Sequence, residues 1–364
     1  MRETTDGVDD SERSDSFDGV DVLDGSGASS VSGPSGFHPS LRLDDSPARS
    51  VLNRSVLRDR LLLALFRTLT AHRPYFRDGV ESPPFEAHRE AVELDLSPLD
   101  GVDERDAPSL DGDGGYEGSY DVPAETLAGS LTAGVRVARW GGVGAPTVVW
   151  HHGGGEYPFD RTFDVAFGDE PDGAGTAQSA DDALHPDVPD DATLLVVRAP
   201  GHDRRGGITE VGATLSGYLA TMAVAVDLTE RLLAWCRPCR SVVAGYSLGG
   251  FVANRHHLAF DSADAYVPVV AGCAHAEIFL SSWPAARSAR RRADRLRERL
   301  NFADEWADRD HPTVHPVVGL YDCLNRFETQ VPSYGDTTPD VWPVGHFEGA
   351  VAGDRLRAAV LSRL

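Results

Sequence analysis

Residues 241–251, SVVAGYSLGGF, predict a strand that runs directly into a sharp turn and then into a helix. Gly245 to Gly249 fit the pattern G-x-S-x-G, and the residues on either side of them are mostly apolar. A serine held in such a turn needs neighbours without a Cβ, because the helix must pass close to the strand. The segment is therefore typical of a nucleophile elbow, with Ser247 as the candidate nucleophile.

After about residue 140 the chain alternates between short apolar runs and longer segments with helical spacing. A long helix is expected at about 213–235 and a closing helix at the end of the chain. Before this region, 91–96 alternates like an edge strand and 135–139 predicts a second strand. The alternation predicts an α/β fold with a mostly parallel sheet flanked by helices. Buried strands are predicted at 147–150, 193–197, 242–244, 266–270, 314–320 and 341–344.

Three regions of the chain differ in composition. Residues 1–48 are rich in Asp, Ser and Gly and bury too little apolar surface to offset the entropy of ordering, so we expect a disordered acidic tail. Residues 49–87 predict an N-terminal helix and a proline-rich linker. Residues 88–364 are the predicted α/β domain, with a small helical cap insert at about 281–310. The helix is expected to be amphipathic through Val56, Leu57, Leu61, Leu62, Leu65 and Leu69.

The 364 residues carry a formal net charge of −23, and all 34 basic residues are arginine. An acidic surface without lysine stays hydrated at high salt, and this composition resembles that of proteins from extremely halophilic archaea. The charge repels a phosphate backbone, so we do not expect nucleic-acid binding. Neither a membrane-spanning run nor an export signal is evident near the start, and four cysteines do not make a disulfide framework. We therefore expect a cytoplasmic protein without stable membrane insertion.

A serine hydroxyl is a poor nucleophile unless a histidine takes its proton and an acid orients that histidine. Behind an elbow of this kind, the partners follow in the order Ser, Asp or Glu, His. Asp322 comes directly after a predicted strand, and His346 follows the last predicted strand. Because the carboxyl ends of parallel strands meet at one edge, we expect both side chains beside Ser247. Glu328 and Glu277 remain alternative acids.

The oxyanion that forms when Ser247 attacks an acyl carbonyl needs preorganised N–H donors. One donor is expected from the backbone of Leu248, directly after the nucleophile. The other is expected from Gly153 or Gly154 in the HHGGG loop at 151–155, because glycines let backbone amides approach a substrate closely. The two histidines of this loop are interpreted as its anchors.

These segments resemble the α/β-hydrolase superfamily over about residues 88–364. The resemblance implies ester or related acyl hydrolysis through an acyl-serine, with Ser247, Asp322 and His346 as the triad. The elbow reads GYSLG, whereas GDSAG often accompanies an HGGG loop. The matching stretches are HGGG at 152–155, APGH at 199–202, GYSLG at 245–249, GLYD at 319–322 and GH at 345–346.

Carboxylic esters are the favoured substrates, so the expected partner is a small acyl compound. Thioesters, peptides and acyl transfer to another alcohol stay open, because a triad does not choose among them. A non-catalytic protein of the same fold, which binds a ligand or a partner in the pocket, is the rival interpretation. The oligomeric state is not predicted.

Two further patterns are interpreted as structural. The stretch WCRPC at 235–239 resembles a thioredoxin-like motif, but it ends a predicted helix instead of starting one. Seven arginines lie between 287 and 299, where a basic cap could attract an anionic ligand. Pairing of these arginines with acidic neighbours such as Asp294 and Glu298 is the preferred interpretation. No metal site and no cofactor are predicted.

Overall fold

One nine-stranded sheet runs through the computed structural model, which describes residues 53–100, 119–168 and 184–364. The predicted acidic tail at 1–48 lies outside these residues. The strands are β1 (Glu93–Leu94), β2 (Ser119–Thr126), β3 (Gly129–Arg139), β4 (Thr147–His151), β5 (Thr193–Arg198), β6 (Ser241–Tyr246), β7 (Ala265–Val269), β8 (Val317–Gly319) and β9 (Asp340–Trp342).

The strand order across the sheet is β1-β2-β3-β5-β4-β6-β7-β8-β9. The six strands from β5 to β9 in this order are parallel, whereas β1, β2 and β3 add antiparallel pairs at one edge. From β4 the chain first moves to β5 on one side and then crosses to β6 on the other side. Such a reversal opens a crevice at the carboxyl ends of β4 and β6, where ligands bind in open α/β sheets.

Helices flank this sheet in the described part of the chain. The longest, α5, begins after Thr214, whose side chain accepts a hydrogen bond from the Gly217 N–H at 3.0 Å, and it ends at the left-handed Arg237. The helices are α1 (Arg54–Thr70), α2 (Phe85–Glu90), α3 (Arg161–Phe167), α4 (Gly207–Val211), α5 (Leu215–Cys236), α6 (Leu248–Ala259), α7 (Arg287–Arg290), α8 (Ala293–Leu300), α9 (Ala303–Ala307), α10 (Phe327–Gln330), α11 (His346–Gly349) and α12 (Gly353–Leu361).

Alternate residues of the central strands pack on opposite faces of the sheet, as the two-residue period of a strand requires. Val149 and Val243 belong to the buried cluster that contains α5 and α6. Val148 and Trp150 belong to a second buried cluster, which contains α3 and α12. Both faces are therefore covered, and this explains why the parallel strands are continuous apolar runs in the sequence.

The predicted fold class is confirmed: the sheet is mostly parallel and helices flank it. The predicted strand at 314–320 is shorter than expected, because only Val317–Gly319 pairs in the sheet. Sequence reasoning missed β2 altogether. Its Asp121, Pro123 and Glu125 are residue types depleted in strands, and they lie on the exposed face of a strand that buries Val122 and Ala124.

The N-terminal helix α1 buries a different face from the one that its leucines suggest. Val56 and Leu63 are buried, but so is Asp59, with no exposed area at all. The predicted apolar face is thus partly turned to solvent, and α1 docks through a face that carries a carboxylate. Four leucines are instead 49–63% exposed, namely Leu57, Leu61, Leu65 and Leu69.

The segment between β7 and β8 contains α7, α8 and α9, in the region of the predicted cap insert. It is joined to the linker that follows α1, because the Tyr75 N–H donates to Pro284 O at 3.0 Å and the Ala286 N–H donates to Tyr75 O at 2.8 Å. In the part of the chain that the structure describes, each helix is too short or too polar to cross a bilayer.

Candidate active site

Ser247 lies in the turn between β6 and α6, with φ 54° and ψ −108°. A positive φ is uncommon for a residue other than glycine and stores backbone strain. The Ser247 N–H donates to Val269 O at 2.9 Å, which ties the turn to β7. The strand, the strained serine and the helix thus occupy the positions that the G-x-S-x-G pattern predicts.

The glycines of the pattern are required by two close approaches. A Cβ on Gly245 would lie 2.5 Å from the carbonyl carbon of Gly249. A Cβ on Gly249 would lie 2.2 Å from the carbonyl oxygen of His151, at the end of β4. Relieving either contact would move α6 away from β4 and β6, so the turn can form only when both positions lack a side chain.

Asp322 and His346 form a buried pair. The His346 Nδ1–H donates to Asp322 Oδ2 at 2.8 Å. The other oxygen, Oδ1, accepts the backbone N–H groups of Leu324 and Asn325, both at 2.7 Å. The Asp322 side chain has no exposed area. The carboxylate bonded to His346 is therefore Asp322, whereas the alternative acid Glu277 is paired with Arg297 at 2.6 Å.

The protonation of His346 is set by opposing effects. Burial lowers its pKa, but the negative charge of Asp322, the hydrogen bond to Asp322 and the charge of Asp59 together raise the pKa above its ordinary value of 6.5. Because Nδ1 is used by Asp322, the second ring nitrogen, Nε2, is the atom left to exchange a proton with a reacting group.

The residue before Ser247 joins the elbow to the histidine. The Tyr246 hydroxyl donates to the backbone carbonyl of His346, and the two rings lie 5.7 Å apart. Within the described residues, Ser247 Oγ makes no hydrogen bond, and the bond expected between Ser247 Oγ and His346 Nε2 is therefore not formed. In unliganded enzymes such bonds are often long and tighten when substrate binds.

Two of the three expected oxyanion donors face the same space as Ser247. Gly154 and Leu248 both line its cavity, and no described residue accepts the N–H group of either. The third, Gly153, donates its N–H to Glu156 Oε2 at 2.6 Å. Of these two glycine amides, that of Gly153 is engaged by Glu156, whereas that of Gly154 has no acceptor among the described residues. Glu156 was missed by sequence reasoning.

The histidines of the glycine loop act as anchors. The His152 Nδ1–H donates to Gly153 O at 2.8 Å, and its Nε2 accepts the Ala199 N–H at 3.0 Å. His151 Nε2 lies 2.8 Å from the Thr229 hydroxyl on α5. Burial, the largest of several effects, holds the pKa of both histidines well below 6.5. They are therefore neutral and fix the loop against β5 and α5.

A small apolar cavity of about 40 Å³ opens beside Ser247. One polar pair lies in it, because the Tyr218 hydroxyl is 2.8 Å from His275 Nε2. Residues from the linker after α1, from α5 and from the segment after β7 enclose the space. The described lining residues are Tyr75, Gly154, Ile208, Tyr218, Ser247, Leu248, His275, Ile278, Phe279, Trp283 and Leu324.

Four arginines of the predicted cap, Arg292, Arg295, Arg297 and Arg299, are paired with acidic side chains. Arg295 and Arg299 each lie 2.8 Å from Glu298, and Arg297 lies 3.7 Å from Asp294. Arg292 and Arg295 also contact Glu81 of the linker, at 2.9 and 3.3 Å. This pairing agrees with the preferred sequence interpretation of a solvated helix face.

The WCRPC stretch is structural here. Cys236 ends α5 and Cys239 precedes β6, and both thiols are free. Burial raises the pKa of Cys236 to about 12, so it carries no thiolate at neutral pH. In the described ranges, no group of three or more His, Cys, Asp or Glu side chains could hold a metal ion.

Asp59 of α1 is the second carboxylate that sequence reasoning missed at this site. It accepts the His346 N–H at 2.7 Å although 287 residues separate the two in the chain. The only local signal is its position on the helix. Val56, Asp59 and Leu63 share one face at helical spacing, and a charge among buried apolar residues is unusual.

No protein-family model matches the chain, and no curated protein matches it. Among solved structures, it is similar to acetyl xylan esterase 1 from Thermoanaerobacterium sp. JW/SL YS485, with 14% identity and a TM-score of 0.44 over 76% of this chain and 93% of that one. The acetyl xylan esterase from Paenibacillus sp. R4 gives 13% identity and a TM-score of 0.43, over 87% and 99% of the two chains. The acylaminoacyl peptidase of Pyrococcus horikoshii gives 12% identity and a TM-score of 0.41. This match covers 66% of this chain but only 39% of the peptidase.

Likenesses at these levels do not bear on activity or substrate, and the fold is evident from the chain's own geometry. The chain crosses from β4 to β5 and back to β6 at the switch point of the sheet. A strained serine follows β6 there, before the helix that returns across the sheet. A sheet of this order with a serine elbow at its switch point is the architecture of the superfamily that the sequence resembles, and the chain has the α/β-hydrolase fold.

Proposed function

We propose that the chain is a serine hydrolase that cleaves carboxylic esters through an acyl-serine intermediate, with Ser247, Asp322 and His346 as its triad. The observation that carries this proposal is the buried Asp322–His346 hydrogen bond of 2.8 Å, together with the contact of this histidine with Tyr246, the residue before the serine of the strained elbow. An acid that orients a histidine to take the proton of a serine hydroxyl is the arrangement that makes serine nucleophilic.

In the proposed reaction, His346 Nε2 takes the proton of Ser247 as Oγ attacks the acyl carbonyl. Asp322 holds Nδ1–H and stabilises the imidazolium, which then gives its proton to the leaving alcohol as the acyl-serine forms. His346 next takes a proton from water, and the hydroxide attacks the acyl-serine. Return of that proton to Ser247 releases the carboxylic acid and restores the free enzyme.

The negative charge on the carbonyl oxygen is proposed to be held by the N–H groups of Leu248 and Gly154. A Cβ built on Gly154 would lie 3.5 Å from the Leu248 Cβ, so the two backbones approach each other closely beside Ser247. Fixed donors of this kind need no reorganisation during the reaction, and the loss of one typically costs about 100- to 1,000-fold in kcat. The bond from Gly153 to Glu156 fixes the loop on its other side.

The cavity supports a short acyl group. A cavity needs about 10–15 Å³ of space open to the centre of a water-sized sphere to take one water molecule. By this measure the cavity beside Ser247 has a volume of about 40 Å³. The space therefore takes about three water-sized groups, which suits an acetyl or propionyl group better than the longer chain of an octanoyl group. The aromatic rings of Phe279 and Trp283 bound the space and would contact the end of the acyl chain.

We expect kcat/KM for p-nitrophenyl acetate to exceed that for p-nitrophenyl octanoate by at least about 10-fold, because the extra methylenes find no room beside Ser247. Trp283→Ala should enlarge the cavity and therefore reduce the ratio of kcat/KM for the acetate to kcat/KM for the octanoate. Initial rates in molar KCl measure both effects. Equal rates for the two esters in the wild type would show that the acyl chain does not bind in this cavity.

A fluorophosphonate probe tests the proposed nucleophile. We expect one covalent adduct on the wild type, located at Ser247 by peptide mass spectrometry, and none on Ser247→Ala. Ser262→Ala, which removes an exposed hydroxyl bonded to Glu230, should be labelled like the wild type. Absence of labelling on folded wild-type protein in molar KCl would instead favour a non-catalytic protein that binds a ligand in the pocket.

A further inference from the structure

Asp59 connects the N-terminal helix to the two loops that carry the proposed triad acid, Asp322, and the proposed triad histidine, His346. Its carboxylate lies on α1 and is completely buried. Oδ2 accepts the backbone N–H groups of His346 at 2.7 Å and of Cys323 at 3.0 Å, and Oδ1 accepts the Phe347 N–H at 3.1 Å. Cys323 directly follows Asp322. One side chain therefore binds the backbone at the triad histidine and the backbone next to the triad acid.

The contact is too close to be incidental. A Cβ on Gly345, the residue before His346, would lie 2.8 Å from Asp59 Oδ1. A side chain on Gly345 would therefore displace the Asp59 carboxylate from its place against the histidine loop. Three N–H donors satisfy the carboxylate, so a charge that would be costly to bury is stabilised where it lies.

The position of Asp59 also affects the charge of the site. Burial and the charge of Asp322 raise the pKa of Asp59, while its hydrogen bonds from Cys323 and His346 lower it. A negative charge here favours the imidazolium form of His346. The titratable and charged groups that face this region are Asp322 and Cys323 after β8, His346 and Glu348 of α11, Tyr246 of β6 and Arg60 of α1.

Other contacts also hold α1 in place. The Ser55 hydroxyl donates to Glu348, and the ring of Phe66 stacks on Phe347 at 5.7 Å. Arg67 donates to the carbonyl oxygens of Ser281 and Ser282 at 3.0 and 2.8 Å. Because these bonds do not involve Asp59, we expect α1 to remain docked when Asp59 is replaced. The effect of Asp59 on the loops can then be measured separately from the docking of the helix.

We propose that Asp59 is a positioning residue for the triad: by accepting backbone N–H groups from both loops, it holds His346 against Asp322 and in line with Ser247. The proposal rests on the proposed function, since it concerns the same triad. It assigns α1 a part in catalysis although α1 lies outside the predicted hydrolase domain. Without Asp59, the Tyr321 N–H would still donate to Val344 O at 3.1 Å, but the amides of His346 and Cys323 would lose the acceptor that they share.

The test compares Asp59→Ala and Asp59→Asn with the matched control Ser55→Ala, which removes a contact of the same helix without touching the histidine amide. We expect kcat for p-nitrophenyl acetate to fall about 100-fold in Asp59→Ala, the cost of a small displacement of a catalytic group. KM should change little. Asp59→Asn should recover part of the rate, because the amide oxygen can still accept an N–H. Ser55→Ala should behave like the wild type.

The pH profile separates positioning from simple loss of structure. In both Asp59 variants the negative charge is gone, so the imidazolium is less favoured and the pKa of His346 falls. The acid limb of kcat/KM should therefore move to lower pH, and thermal unfolding monitors the fold. Full activity in folded Asp59→Ala, or activity lost only in proportion to unfolding in both variants, would overturn the proposal. A wild type that neither turns over ester nor reacts with fluorophosphonate would overturn the proposed function itself.

Discussion

Ser247→Ala is expected to lower kcat for p-nitrophenyl acetate by about 10⁶-fold, and His346→Ala by a similar factor, because the two groups act as one unit. The double variant should lose no more than either single variant. Ser247→Ala should leave the fold intact, since Ser247 Oγ makes no hydrogen bond within the described residues. The residual rate above the uncatalysed reaction would come from the oxyanion donors and from binding.

Steady-state hydrolysis in molar KCl measures these losses, with circular dichroism as the check on folding. Ser262→Ala is the matched control, because it removes a serine hydroxyl far from the proposed chemistry and should keep full activity. Wild-type activity in Ser247→Ala would exclude this residue as the nucleophile. A loss in His346→Ala that is far smaller than the loss in Ser247→Ala would mean that another group takes the serine proton.

The serine elbow could be predicted because its causes are local. Val242, Val243 and Ala244 favour a buried strand, and the two glycines permit the close approach to His151 that the structure contains. Asp322 and His346 could be predicted for a different reason. In a parallel sheet, every residue just past the end of a strand lies at the same edge, so chain order and strand ends together indicated the pair.

Glu156 and Asp59 could not be predicted in the same way. The role of Glu156 depends on the path that its loop takes after β4, where its carboxylate accepts the N–H groups of Gly153 and Thr162. Asp59 meets backbone groups more than 260 residues away. Every residue except proline has a backbone N–H, so no pattern in the sequence identifies which of these groups bind Asp59. The leucine spacing of α1 also indicated the buried face only in part, because Val56 is buried whereas four of the leucines are exposed, and the buried face includes Asp59.

Asp322→Asn is expected to lower kcat about 10,000-fold through the tautomer of His346. Two backbone N–H groups, those of Leu324 and Asn325, point at Asp322 Oδ1 at 2.7 Å. They fix the orientation of the new amide, because its oxygen must accept them. The NH₂ group then faces His346 Nδ1 and can only donate. Nδ1 becomes an acceptor, the ring proton moves to Nε2, and Nε2 can no longer take the proton of Ser247.

Because the amide has this orientation, Asp322→Asn is expected to change the tautomer of His346 and to leave the surrounding structure intact. The rate should fall while the fold and KM are largely kept, because the amide preserves both N–H bonds and the volume of the carboxylate. Nitrogen-15 NMR of the imidazole should show the proton on Nδ1 in the wild type and on Nε2 in Asp322→Asn. Asp340→Asn, at the exposed start of β9, is the control. An Asp322→Asn protein that keeps its rate, or keeps the proton on Nδ1, would show that Asp322 does not orient the histidine.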